Sequence, residues 1–331
     1  MDNLEKKQKT SMKMGTHSGT FHADESLAVY MLRVLPRFKH AELIRSRDPE
    51  ALEACDIIVD VGGKYQPPKY FDHHQRGFDN TFDDKHNTKL SSAGLIFKHY
   101  GKEVISELLQ VEIEDPSIDV LYDKIYSEFI EAIDANDNGI SAYPDDITAL
   151  YRSGGITLPA MVSRLNPLWT EPYSDSIIDA RFVKSSELMG SAFLSVVDSY
   201  GKGWYPAKRL VQEAFNARSQ YDDKGRIVVF DTFVPWKDHL YTIEKDTDAQ
   251  GEILYALYSD GKGWRIQAVP ESSGSFVSRK ALPEPWRGLR DEEMSKMTGV
   301  PDCVFTHASG FIAGHQTRDG ALHVAKLALI E

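Results

Sequence analysis

Four short segments place histidine and aspartate where apolar runs end, and this constrains the fold more than any other feature of the chain. They are THSGTFHADE at 16–25, VDVGG at 59–63, FDHHQ at 71–75 and AIDANDNG at 132–139. The run DIIVDV at 56–61, closed by Gly62-Gly63, reads as a buried parallel strand. Short strands are also expected at 12–17, 41–45 and 69–73. Helical spacing of Leu27, Ala28, Met31, Leu32 and Leu35 predicts an amphipathic helix over 24–35. A further helix starts at Ser91 or Ser92 and runs towards Gly101, and another follows Pro116 to Asn138-Gly139. Alternating strands and helices build a mostly parallel sheet covered by helices. In such open sheets the loops at the carboxyl ends of strands converge on one crevice. The four segments then meet there, and their imidazoles and carboxylates form a cage for one or two divalent cations.

The donor set narrows the ion. Imidazole with carboxylate and no thiolate suits Mn²⁺, with Mg²⁺, Zn²⁺, Co²⁺ and Fe²⁺ as alternatives. Two ions about 3.5–4 Å apart clamp the attacking and leaving oxygens of an in-line displacement at phosphorus. Such a pair needs a shared carboxylate, and Asp60, ending the central strand, is the candidate. Each segment also has a plainer reading. His17 and His22 could be surface histidines, Asp60 could open a turn, and Asp134 and Asp137 could be solvated helix-end residues. The ordered set of four is harder to dismiss than any member.

The rest of the sequence bounds the function. At 331 residues, two domains are expected, 1–150 and 151–331, joined through the Pro/Gly/Ser-rich stretch 140–172. No apolar run reaches the roughly 20 residues of a membrane helix. Cys55 and Cys303 are too few and too far apart for a disulfide scaffold or a thiolate zinc site. Net charge is −12. Residues 1–150 hold 17 Lys/Arg against 27 Asp/Glu, and residues 151–331 hold 21 against 23. The chain therefore has no overall electrostatic footprint for nucleic acid, and phosphate contacts fall to a local basic patch in the second half. That half reads as α+β. Long helices are expected over 175–199 and 205–219, a strand at 226–231, and a hairpin joining 253–258 to 264–269. Arg279, Lys280, Arg287 and Arg290 form its densest basic cluster, interleaved with Trp286, which could stack a base or lie in the core. The alternating charges of 287–293 could equally be a salt-bridged helix face.

FDHHQ, preceded by VDVGG and by His17, His22 and Asp24 in HxxxxHxD spacing, resembles the DHH phosphoesterase superfamily. THSGTFHADESLA, SSAGLI, WRGLRDEE and HASGFIAGH resemble one branch of it, the melanocyte proliferating gene 1 family, over nearly the whole chain. The resemblance implies a DHH-type metal domain, a C-terminal substrate domain and a metal-dependent 3′–5′ exonuclease acting on single-stranded RNA or short oligonucleotides. It makes His17 the leading histidine and Asp24 the second carboxylate. Asp60 becomes the bridging ligand, His73 a ligand and Asp137 the last ligand. His74 would face the phosphate with Asp72 behind it. His22 stands where most of the superfamily has aspartate, one residue later, which removes a negative charge from the metal set. HASGFIAGH resembles the glycine-rich loop that presents His307, Ser309, Gly310, Gly314 and His315 to substrate across an inter-domain cleft. Competing expectations are a small-molecule phosphohydrolase and a non-catalytic RNA- or protein-binding module. Residues 1–14 make a poor secretory signal. Cytoplasm and nucleus are expected, with mitochondria implied by the resemblance, and no oligomeric state is indicated.

Overall fold

The computed structural model describes residues 11–144 and 146–331. The chain forms two compact units, 1–201 and 202–331.

The first unit opens with β1 (Lys13–Thr16), α1 (Ala23–Val34), β2 (Glu42–Arg45) and α2 (Pro49–Glu53). It continues with β3 (Ile57–Val59), β4 (Tyr65–Gln66), β5 (Tyr70–Phe71) and α3 (Ser92–Leu109). The sheet order is β2-β1-β3-β5-β4, parallel except for the edge strand β4. The mostly parallel sheet expected from sequence is therefore present. Gly15 lets β1 lie close to α2, because a Cβ there would come within 3.1 Å of Leu52 and Cys55. α3 runs through Gly101 rather than stopping there. Phe97 closes over that position, where a side chain would meet its ring at 2.9 Å. Next come α4 (Pro116–Ile125) and α5 (Glu131–Asp137), one continuous rod with a π turn at Tyr126–Ile130 between them.

α6 (Leu158–Ser163) and α7 (Asp175–Asp198) also belong to the first unit. The side chain of Asn166 accepts from Phe21 N–H and donates to Phe21 C=O. Ser26 and Ser185 share a buried hydrogen bond of 2.7 Å, and Gly190 makes room for Tyr30. The break after Gly201 thus replaces the expected 150/151 boundary. Pro, Gly and Ser at 140–172 announce irregular chain, but long-range contacts to α1 decide which core owns it.

The second unit contains α8 (Tyr205–Asn216), β6 (Ile227–Phe230), α9 (Lys237–Asp246), β7 (Tyr255–Ser259) and β8 (Trp264–Ala268). It ends with α10 (Asp291–Thr298), β9 (Cys303–Thr306), β10 (Ile312–His315) and α11 (Arg318–Ile330). The sheet order is β6-β7-β8-β10-β9, with only β6 and β7 parallel. Period-two alternation splits β6 between two cores. Val228 and Phe230 pack with Val211, Phe215 and Leu240, while Ile227 and Val229 pack with Trp286, Met294 and Val324. Helices therefore cover both faces. No helix among the described residues is long and apolar enough to cross a membrane.

Candidate metal centre

β1 ends at Thr16 and delivers His17, which is buried. Its Nε2 lies 3.2 Å from Glu25 Oε1 and 3.3 Å from Asp60 Oδ2, and its Nδ1 lies 3.2 Å from Ser18 C=O. α1 begins six residues on, and the ring of its exposed N-cap His22 is tilted by 41° against that of His17, ring centres 6.0 Å apart. Asp24 and Glu25 occupy the first helical turn, where acidic groups suit the helix dipole. Here they are also fully buried.

β3 is followed directly by Asp60, whose φ of 58° is left-handed, a conformation that aspartate tolerates better than most residues. The turn places one carboxylate between two histidine sets. Oδ2 faces His17, while Oδ1 lies 3.4 Å from His73 Nε2 and accepts from Ser92 Oγ at 2.9 Å. Gly62 and Gly63, both at positive φ, fold the chain back so that Gly63 N–H donates to Asp72. Asp72 Oδ1 accepts from the backbone N–H groups of His73 and His74 and meets His74 Nδ1 at 2.7 Å. Asp72 is thus spent on holding the strand end together and fixing the half-exposed His74 ring. His73 Nε2 also lies 3.1 Å from Asp137 Oδ2, at the end of α5.

All six expected ligand residues, His17, His22, Asp24, Asp60, His73 and Asp137, meet here. Their donor atoms fall into overlapping groups in which every member lies within 4.8 Å of the others. Asp60 is common to the His17–Glu25 and His73–His74 groups, and His22 links the first of these to Asp24 and Asp137. The residues fit a cation. Buried Asp24 Oδ1, Glu25 Oε2 and His73 Nδ1 have no hydrogen-bond partner among the described residues, which folded proteins rarely tolerate without another ligand. Charge tells the same story. Burial and the neighbouring Asp60 and Asp137 hold the Asp24 carboxyl well above its ordinary range. Burial works against protonated His17 and His73, yet the surrounding carboxylates win and push them up to about 10 and about 9. Asp60 is buried too, but His17 and His73 hold its carboxyl below the usual range. A cage that gathers protons this way in the absence of metal is built to balance positive charge.

Glu25 stands in the first His/carboxylate segment but outside the expected ligand set, and Ser92 is expected only as a helix cap. Ser92 N–H reaches Asp24 Oδ2 at 3.3 Å while its hydroxyl holds Asp60, so the N-terminus of α3 orients two carboxylates. Asp134 is a correction. It is wholly buried rather than solvated, and accepts from Ser91 N–H, Ser91 Oγ, Gly94 N–H and Tyr126 OH. Burial nonetheless pushes its carboxyl up to about 7. Gly94 is glycine because a Cβ there would sit 2.3 Å from that carboxylate.

The family description "Uncharacterised protein family (UPF0160)", the MYG1 exonuclease family, matches residues 13–329. The chain belongs to this family. It is 50% identical over 326 residues to the MYG1 protein of Saccharomyces cerevisiae, covering 97% of this chain and 96% of that one. It is 52% identical over 320 residues to the MYG1 protein of Schizosaccharomyces pombe, covering 96% and 97%. It is 46% identical over 327 residues to the MYG1 exonuclease of Homo sapiens, covering 96% and 86%. Among solved structures it is similar to RecJ with Mn²⁺ from Thermus thermophilus, at 12% identity and a TM-score of 0.24. That match covers 96% of this chain, which spans about half (52%) of the RecJ chain. A family of nucleases together with a His/carboxylate cage supports a metal-dependent nuclease.

The MYG1-family second unit treats its own candidates differently. Arg279 makes a two-pronged ion pair with buried Glu244, at 2.6 and 2.7 Å, and also donates to Ile253 C=O. Its expected phosphate role is therefore corrected to a structural one. The same holds for His315, whose buried ring meets Pro301 C=O at 2.8 Å and accepts from Thr317 N–H. Gly314 is packed against Phe305 and Arg265, and Trp286 is core. HASGF is the turn of the β9–β10 hairpin. His307 and Ser309 are exposed there and bonded to each other at 2.9 Å, and buried Gly310 has a φ of 72°. Arg287 and Arg290 are also exposed, although Arg287 Nε donates to Leu282 C=O and Arg290 lies over Phe305.

Proposed function

We propose that this chain is a metal-dependent phosphodiesterase that removes nucleotides from the 3′ end of single-stranded RNA, with Mn²⁺ as its ion. The observation that carries the reading is Asp60, one buried carboxylate whose two oxygens face His17 on one side and His73 on the other. His17, His22, Asp24, Asp60, His73 and Asp137 hold the metal in this reading, and Glu25 supports His17. Divalent cations bound there would supply a water ionised near neutral pH and neutralise charge on the phosphate. Asp72 holds His74 Nδ1 and leaves Nε2 to donate to a phosphate oxygen or to the leaving oxygen. Arg287, Arg290, His307 and Ser309, exposed on the second unit, are the residues left to contact further phosphates. Cytoplasm and nucleus are the proposed compartments, with mitochondria as a further one.

A second reading, a small-molecule phosphohydrolase, draws on the acidity of the first half of the chain, which opposes a long polyanion. The two separate in one assay: a 5′-labelled single-stranded RNA beside a dinucleotide and pyrophosphate, each with Mn²⁺, Mg²⁺ or chelator. A metal-dependent ladder shortening from the 3′ end is expected. Turnover of pyrophosphate alone moves the protein to the second reading. Tight metal binding without turnover of any of them leaves a binding module.

A further inference from the structure

Beside the cage the first unit has a cavity of about 630 Å³. Asp24, His73, His74 and Asp137 form its floor, and Lys89 is the single lysine or arginine among its lining residues. The backbone of Lys89 is fixed twice, by a bridge to Thr81 and by Asn138 Nδ2 donating to its carbonyl at 2.9 Å. Its ammonium rests 5.6 Å from the centre of the Phe78 ring, and the same ring flanks His73. Among the described residues no carboxylate pairs with it, although the adjoining floor is carboxylate-rich. A lysine in an ion-pair network would be expected to have claimed one. The remaining lining is not what an inorganic anion needs. Phe21, Ile133 and Pro159 offer apolar surface, and Asn138 has its amide nitrogen committed to Lys89 and Asp134 carbonyls, which leaves its oxygen as an acceptor. Pockets of about 300–1,000 Å³ that mix apolar surface with a few fixed polar groups take small organic ligands.

We infer that this cavity seats a single nucleoside monophosphate unit, with Lys89 gripping its phosphate on the Asp137 side of the cage. The inference rests on the nuclease reading and sharpens it, because a pyrophosphatase would have no use for the apolar wall. Lys89 supplies a point charge where a phosphate next to the Asp24 and Asp137 carboxylates is otherwise repelled.

The test compares wild type, Lys89→Ala and Lys89→Arg. Binding of adenosine 5′-monophosphate and of inorganic phosphate is measured by calorimetry with Mn²⁺ present, and KM and kcat are measured on a short labelled RNA. Lys89→Ala should weaken the mononucleotide about tenfold or more, the scale of one lost charge-assisted hydrogen bond. It should raise KM more than it lowers kcat and leave Mn²⁺ affinity unchanged. Lys89→Arg should restore most of the loss, and inorganic phosphate should bind more weakly than the mononucleotide. Equal mononucleotide affinity in wild type and Lys89→Ala, or no mononucleotide binding to wild type, overturns the inference. The two readings fail separately. Lys89-dependent binding without RNA cleavage sinks the exonuclease and keeps the pocket, whereas RNA cleavage indifferent to Lys89 does the reverse.

Discussion

His17 and His315 come from similar beginnings and end in opposite states. Each stands at the end of a short buried strand, and each ring is almost sealed from solvent. His315 is quiet: Pro301 C=O and Thr317 N–H satisfy its two nitrogens. His17 faces two buried carboxylates, Glu25 and Asp60, and Glu25 Oε2 and the neighbouring Asp24 Oδ1 have no partner among the described residues. The same contrast separates Arg279 with Glu244, a closed pair, from Asp24, an open one. Residue type does not distinguish a site from a scaffold here. What distinguishes them is whether the buried polar groups already satisfy one another. Tyr255, whose buried hydroxyl has no partner among the described residues, is an exception in the second unit.

Substitution can break this contrast, and Asp60→Asn should do so most severely. Asparagine keeps the left-handed backbone that alanine would strain, yet removes the charge that both histidine sets face. Hydrolysis should vanish and bound metal, counted by elemental analysis, should fall while the circular dichroism spectrum holds; wild-type turnover would refute the shared-ligand role. Arg279→Ala should do the opposite, costing about 3–5 kcal/mol of stability by stranding Glu244, with metal content per folded molecule unchanged. A thermal midpoint equal to wild type would return Arg279 to the list of available phosphate ligands. Ser92→Ala should lower metal affinity about 10–100-fold, as losses of hydrogen bonds behind ligands do; unaltered affinity would make Ser92 only a helix cap.

pH sharpens the comparison further. His17 and His73 in the metal-free fold titrate near 10 and 9, above their ordinary value of 6.5. Their contribution to stability is complete below that ordinary value and is lost as pH rises through 9–10. The metal-free protein should therefore melt at progressively lower temperature between pH 7 and 10, and metal should bind more tightly over the same range as it displaces fewer protons. A flat melting profile would show that the cage is not protonated. The smallest effect belongs to Arg287→Ala with Arg290→Ala, which should change stability by no more than about 0.5 kcal/mol and weaken longer RNAs more than dinucleotides. Equal loss on both substrates would remove these arginines from the substrate path.

The alternation of strands and helices in the first unit was legible because each ligand segment abuts its own apolar run. Glu25 was visible in the first segment but not separable from its neighbour Asp24 as a ligand, since spacing alone does not say which of two adjacent carboxylates turns towards His17. Ser92 was hidden as a cap. Arg279 misled because Glu244 lies on α9, far away in sequence, and a local basic cluster carries no sign of its distant partners. The unit boundary escaped for the same reason, since Asn166 and Ser185 reveal their allegiance only through Phe21 and Ser26.

The π turn between α4 and α5 has a mechanical consequence. A helix advances about 100° per residue, so the wide turn at Tyr126–Ile130 acts as a one-residue insertion. It sets the angular phase of everything downstream, including Tyr126's partner Asp134 and, one turn later, Asp137. Deleting a single residue there would leave the rod as helical as before and swing Asp137 about a quarter-turn away from His73. The cage is in this sense indexed by a slip in a helix, and its fourth corner can be dialled out without touching any residue that lines it.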